Sequence, residues 1–304
     1  MAEKRSIRFK GHETFTLREG WLNKGLTAIA ENPHVFRENY GADALGMGPN
    51  MAKALRYWLR CAGLAEDIPK RESKEGGMRL SPVGRIVFEG DRYIEDIFTL
   101  WLIHCRIAAN YSQATAWNLF FNRFGYEEFD RARMVQEMRM SAYLAAEEAG
   151  AGRRVPDASV DSDCDAILHM YVRRGDREGT PEDKNVSPFG RLSLIKTAGG
   201  AYVRAQPDLG RLPEEIVLYL LAESLSGAGS AELDALLAAE NGPGKLLQLG
   251  RNGLAELLDR LAAKGKITIN RTAGLNMVYL GGPLTGEQAA AEYYGNRRKR
   301  LRRP

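Results

Sequence analysis

An imidazole and a carboxylate stand side by side at His12-Glu13, within Gly11-His12-Glu13-Thr14-Phe15. The residues before them, Ile7-Arg8-Phe9-Lys10, alternate apolar and basic as a short strand does. After them, Arg18 to Ala30 repeats Trp21, Leu22, Leu26 and Ile29 at helical spacing. His12 and Glu13 are therefore predicted at a strand-to-helix junction, where side chains can converge on a ligand. The pair is not the HExxH zinc-protease motif, because Thr16 occupies the second histidine position. The structural alternative has Glu13 or Thr14 capping the helix start and His12 packed in the turn.

A second set of chemistry-bearing residues is acidic. Asp157, Asp161, Asp163 and Asp165 lead into Ile167-Leu168-His169-Met170-Tyr171. Their spacing suggests a metal, but an EF-hand needs glycine where Ala166 stands and glutamate where Val172 stands. Acidic residues at a helix start are also stabilised by the macrodipole. Cys164, between two carboxylates, is expected to hold its proton, which argues against a nucleophile or sulfur carrier.

The third set is basic. At 100° per residue, Met51, Leu55, Trp58, Leu59 and Ala62 share one face of a helix, and Lys53, Arg56 and Arg60 share the opposite one, flanked by Asn50 and Tyr57. Such a helix can lie in the major groove with its first residues near base edges and its arginines on phosphates. It can equally be an amphipathic helix with a solvated basic face.

The elements around it favour the first reading. Asp43 to Met47 is predicted as a short helix, Gly48-Pro49 as a turn, Asn50 to Cys61 as the long helix, and Leu64-Ala65-Glu66 and Met78-Arg79-Leu80 as paired strands. That order is a winged helix-turn-helix, with Lys70, Arg71 and Lys74 on the wing, although such a module can also dock proteins. Residues 93 to 150 read as helices with a packed aromatic run, Trp117, Phe120, Phe121 and Phe124, and with His104 and Cys105 in the core. A polar loop spans Arg173 to Ser187. A second winged-helix pattern follows Ser230, but Glu256 and Asp259 beside Arg260 suit its long helix to scaffolding or partner binding. The expected fold is mostly α with small β wings: two winged helix-turn-helix modules around a central helical region. The predicted divisions are 1–91, 92–212 and 213–304.

With 304 residues, 44% hydrophobic and 27% charged, the chain has material for a full core. Its net charge of +4 is local, because Arg297-Arg298-Lys299-Arg300, Arg302 and Arg303 exceed it and leave the rest slightly acidic. Three dispersed cysteines without a CxxC pair indicate neither a disulfide framework nor a zinc ribbon. With no apolar run of bilayer length, the expected protein is soluble and cytoplasmic, without membrane association.

The chain resembles the SspB-type family of single-strand DNA phosphorothioation and phage-defence systems. The resemblance rests on Phe9-Lys10-Gly11-His12-Glu13-Thr14-Phe15 with Leu17-Arg18 and Gly20-Trp21-Leu22-Lys24, on Gly46-Gly48-Asn50-Met51 with Trp58, and on Asp163 to Tyr171. It implies work on double-stranded DNA beside a cysteine desulfurase, an ATPase and a sulfur-activating enzyme. It also implies nicking of one strand, so that sulfur can replace a non-bridging phosphate oxygen. A nick needs a nucleophile, charge stabilisation and usually a divalent metal. His12 is then the candidate base, and Glu13, Asp161, Asp163 and Asp165 the candidate ligands of Mg²⁺ or Mn²⁺. Arg8, Lys10 and Arg18 would neutralise the phosphate. A homodimer is compatible with this reading. The competing expectation is a non-enzymatic winged-helix adaptor or transcriptional regulator.

Overall fold

The computed structural model describes residues 6–150, 154–172, 186–225, 229–272 and 276–301. In chain order these form α1 (Trp21–Glu31), α2 (Ala42–Leu45), α3 (Pro49–Cys61), β1 (Ala65–Asp67), β2 (Met78–Leu80), α4 (Pro82–Gly90), α5 (Ile97–Ala109) and α6 (Thr115–Arg123). Next come β3 (Glu128–Phe129), α7 (Arg131–Glu148), α8 (Asp157–Tyr171), β4 (Ile195–Ala198), β5 (Ala201–Arg204) and α9 (Glu214–Ser224). The chain continues with β6 (Ser230–Glu232), α10 (Leu233–Ala238), α11 (Pro243–Leu246), α12 (Arg251–Ala263), β7 (Ile267–Asn270), β8 (Met277–Leu280) and α13 (Gly286–Leu301). The architecture is mostly α with small antiparallel sheets, β1-β2, β3-β5-β4 and β6-β8-β7.

The helix α3 begins where the sequence predicts, with Pro49 in its first turn and Gly48 extended before it. Gly63, at φ 58°, ends the segment in the left-handed conformation. Ala52, Leu55, Trp58 and Leu59 are wholly buried and α3 packs against α1, so the apolar face lies inward as expected. The helix α5 is apolar on nearly all sides and lies in the middle of the core. Trp117, Phe120 and Phe121 on α6 and Phe124 just after it are core residues, with Phe120 and Phe124 stacked at 5.1 Å.

Several expectations are corrected. Residues 6–10 form no strand, because the Arg8 amide is bonded to Thr115 Oγ1 and the Lys10 amide to Asp163 rather than to a neighbouring strand. The segment after Ser230 opens with β6, whose backbone pairs with β8. The run of helices expected over 93–150 is interrupted before Arg131, because Glu128 and Phe129 pair with β5. The last helix, α13, packs on both α4 and α9. There Tyr294 shares a 2.7 Å hydrogen bond with Thr99 Oγ1 and Tyr293 donates to Asp96. Residues 173–185 of the polar loop and the last arginines, Arg302 and Arg303, lie outside the described residues.

Candidate nucleic-acid interface

The His12 junction is a compact turn drawn onto α3 and α8. Lys10, Glu13 and Thr14 all have left-handed backbone, with φ of 54°, 51° and 68°. Such conformations cost non-glycine residues energy and persist only where surrounding contacts enforce them. Gly11 shows the enforcement: a Cβ there would lie 2.6 Å from Cδ2 of Tyr57 and 2.7 Å from Nε of Arg8. His12 is 1% exposed, stacks on Trp58 and meets Trp117 edge-on. Its Nε2 lies 2.8 Å from Asp163 Oδ1, and the same carboxylate accepts the Lys10 amide at 3.0 Å. Burial raises the Asp163 carboxyl above its ordinary value, against the opposing bonds from His12 and the Lys10 amide. With Nε2–H donating to Asp163, the lone pair sits on Nδ1, which is buried and has no partner among the described residues.

The basic face of α3 meets this turn across a pocket of about 280 Å³, lined by Arg8, Gly11, Glu13, Tyr40, Lys53, Arg56, Tyr57 and Arg60. Arg8 lies over the Tyr57 ring at 5.0 Å and donates to Gln113; Lys53 lies over the Tyr40 ring at 4.4 Å. Arg56 and Arg60 share one counter-ion, Asp67 of β1, at 2.7 and 3.4 Å. Asn50, Lys10, Lys70, Arg71 and Lys74 are exposed. Tyr57 departs from expectation: at 3% exposed it faces the core and forms the pocket floor, not a rim that could meet a base.

His12 also borders a larger cleft, of about 740 Å³, that runs between the turn, α7, α8 and the β4-β5 hairpin. Asp161, Ser162, Asp165, His169, Thr197 and Tyr202 line it. Asp165 is held by Arg131 through two bonds of 2.6 and 2.7 Å, and Asp161 by Arg139 at 2.8 and 2.5 Å. These carboxylate bonds raise both guanidinium pKa values. Helical geometry explains the split: Asp161 and Asp165 share a face, while Asp163 is turned inward to His12.

The shared metal site expected of Glu13, Asp161, Asp163 and Asp165 is therefore not formed. Glu13 faces the α3 pocket, Asp163 is saturated by His12 and Lys10, and the other two are in arginine forks. Among the described residues, no group of three or more His, Cys, Asp or Glu side chains is arranged to hold a metal ion. Nor do the expected catalytic residues share a pocket: His12 borders the cleft, Glu13 the α3 pocket, and Arg18 neither, lying instead over the Phe15 and Trp21 rings. Cys164 is buried with its thiol pushed up, chiefly by burial and then by the neighbouring aspartates.

A family model described as "Protein of unknown function (DUF4007)" matches residues 9–294. The chain belongs to the DUF4007 family. Two solved structures share the fold of this DUF4007 protein over its whole length. An SspB crystal structure matches at 25% identity and TM-score 0.82, covering 100% of this chain and 92% of that one. A magnesium ion-bound SspB crystal structure matches at 24% identity and TM-score 0.83, covering 100% and 91%. The DUF4007 chain is thus similar in fold to the SspB structures. No curated protein matches it. Among the described residues, no helix is long and apolar enough to cross a membrane.

Sequence reasoning on this DUF4007 chain missed Asp67, which neutralises half of the arginine pair, and Tyr40, which carries Lys53. The only signal for Asp67 was its acidic type directly after the basic helix and its turn. It also missed Arg131 and Arg139 as partners of the aspartates. Those sit on a separate helix, so no local spacing could reveal them.

Proposed function

We propose that this protein binds duplex DNA and nicks one strand within a phosphorothioate modification system, working beside a cysteine desulfurase, an ATPase and a sulfur-activating enzyme. The observation that carries the DNA-binding half is the convergence of Arg8, Lys53, Arg56 and Arg60 on one pocket, with exposed Asn50 and Lys10 nearby. We read α2, α3 and the β1-β2 hairpin as a winged helix whose turn carries Lys70, Arg71 and Lys74 to neighbouring phosphates. The likeness to SspB supports the nicking half. So does His12, an imidazole oriented by Asp163 and bordering a cleft.

The test measures equilibrium DNA binding at several salt concentrations and conversion of supercoiled plasmid to open circles with Mg²⁺ or Mn²⁺. Replacing Lys53, Arg56 and Arg60 by alanine is expected to weaken binding and to reduce the salt slope by about one unit per lost phosphate contact. His12→Ala and Glu13→Ala are expected to abolish conversion. Undiminished binding by the triple variant sinks the α3 assignment, and undiminished conversion by the other two sinks the site assignment.

One observation favours a second reading, a DNA-binding adaptor that does not cut. Asp161, Asp163 and Asp165 are all engaged within the protein, so the acidic cluster serves structure. That reading expects the same binding result with no open circles from the pure protein.

A further inference from the structure

The α3 pocket carries more charge than one backbone phosphodiester needs. Arg8 and Lys53 have only neutral partners among the described residues: Gln113 and a tyrosine ring for Arg8, Asn50 and a tyrosine ring for Lys53. Arg56 and Arg60 divide the single carboxylate of Asp67. Arg56 Nε is buried and has no hydrogen-bond partner among the described residues, which leaves its desolvation without an offset there. The opposing charge on the lining is Glu13, which forms no ion pair among the described residues. Four cations against Glu13 and Asp67 leave two positive charges.

Shape points the same way. The pocket is a recess of about 280 Å³ rather than a flat stripe, which suits a terminal group entering end-on. Its walls are fixed by close approach and by cations lying over rings. Gly11 lies against Tyr57 and Arg8, and Tyr40, itself left-handed at φ 55°, lies under the Lys53 ammonium. Guanidinium groups flanking a recess present paired N–H donors that match phosphate oxygens.

We propose that this pocket binds a phosphate monoester dianion, as carried by the phosphorylated 5′ end of a DNA strand or by a free nucleoside monophosphate. Glu13 at the lining sets its selectivity, by repelling anions that make too few contacts with the four cations. The proposal rests on the same basic face as the DNA-binding reading and extends it from passing phosphodiesters to a strand end.

The experiment compares binding of the full chain to a duplex bearing a central nick with either a 5′-phosphate or a 5′-hydroxyl at the break. Intact duplex is measured in parallel, and dAMP, deoxyadenosine and inorganic phosphate serve as competitors. The phosphorylated nick is expected to bind about tenfold tighter than the hydroxyl form. Arg8→Gln and Lys53→Gln should each bring that ratio close to one, whatever they do to overall affinity. Glu13→Gln, at an exposed position that does not threaten folding, should raise affinity for the phosphorylated form. Competition by dAMP but not deoxyadenosine assigns the pocket to mononucleotides. A phosphorylated nick that resists dAMP assigns it to strand ends. Equal binding of the two nicks, together with no competition by dAMP or inorganic phosphate, overturns the proposal. If intact duplex still binds in that case, the DNA-binding reading survives alone. If the phosphate ratio is large but intact duplex fails to bind, the pocket survives and that reading falls.

Discussion

Asp67 makes the basic face of α3 a partly self-neutralised surface, and Asp67→Asn tests how far that holds DNA back. The carboxylate lies 2.7 Å from Arg56 and 3.4 Å from Arg60, and all three side chains are about one-third exposed. A DNA phosphate meeting these arginines would sit roughly 7 Å from Asp67. At an effective dielectric of about 50, that repulsion is roughly 1 kcal/mol. Freeing the arginines from an exposed ion pair adds up to about 1 kcal/mol. The expected gain is therefore about 5- to 30-fold in affinity at low salt, and it should shrink as salt rises. The slope of log affinity against log salt should steepen by about one unit. The thermal midpoint should move by only a few degrees, since exposed pairs contribute about 0–1 kcal/mol. Fluorescence anisotropy with a labelled duplex reads the affinity. Asp259→Asn removes the same charge from the Arg271 pair beside α12 and serves as the control. If Asp67→Asn and Asp259→Asn change affinity equally, only net charge matters and the docking of α3 on DNA is refuted.

Two further perturbations address the scaffold. Gly11→Ala should destabilise the protein by about 1–3 kcal/mol, because the added methyl overlaps the Tyr57 ring and the Arg8 guanidinium within a wall that cannot easily yield; an unchanged thermal midpoint would show the turn to be pliable. His104 is buried between Tyr171 Oη at 2.7 Å and the Leu246 carbonyl at 2.8 Å, so it donates from Nε2 and accepts at Nδ1 as a neutral ring. Burial lowers its pKa to about 4, against the opposing bond to Leu246. Protonation therefore favours the unfolded chain. This contribution to stability is complete above about pH 6.5 and falls by about 3 kcal/mol as pH drops toward 4. Denaturant titrations across that range should show the loss, and His104→Gln should flatten it; an equally steep loss in the variant would assign it to other groups.

Local periodicity carried much of the architecture. The face of α3 and the β1-β2 pairing follow from spacing and turn residues, because each is set by neighbours a few positions away. The candidate site was legible only by residue type. His12 and the aspartates both stood out, but their meaning depends on which long-range partner each takes. Asp163 turns inward to His12, 151 residues earlier, while Asp161 and Asp165 face arginines on α7. No sequence pattern distinguishes these carboxylates until the α7-α8 packing exists. Tyr57 failed for a related reason: its position on the helical wheel borders the basic row, and only the arrival of Gly11 over its ring turns that border into interior.

The bond between His12 and Asp163 also orders events in time. During synthesis the Gly11-His12-Glu13 turn emerges early, yet the carboxylate that fixes it is made about 150 residues later. Thr99 likewise waits for Tyr294, 195 residues downstream. Because such distant closures are slow, the turn that walls the α3 pocket belongs among the late structures of the nascent chain. A ribosome-bound fragment ending before α8 would expose α3 and its arginines without the wall that shapes them. On the proposed function, selective recognition of a phosphate would then appear only once most of the protein has been made.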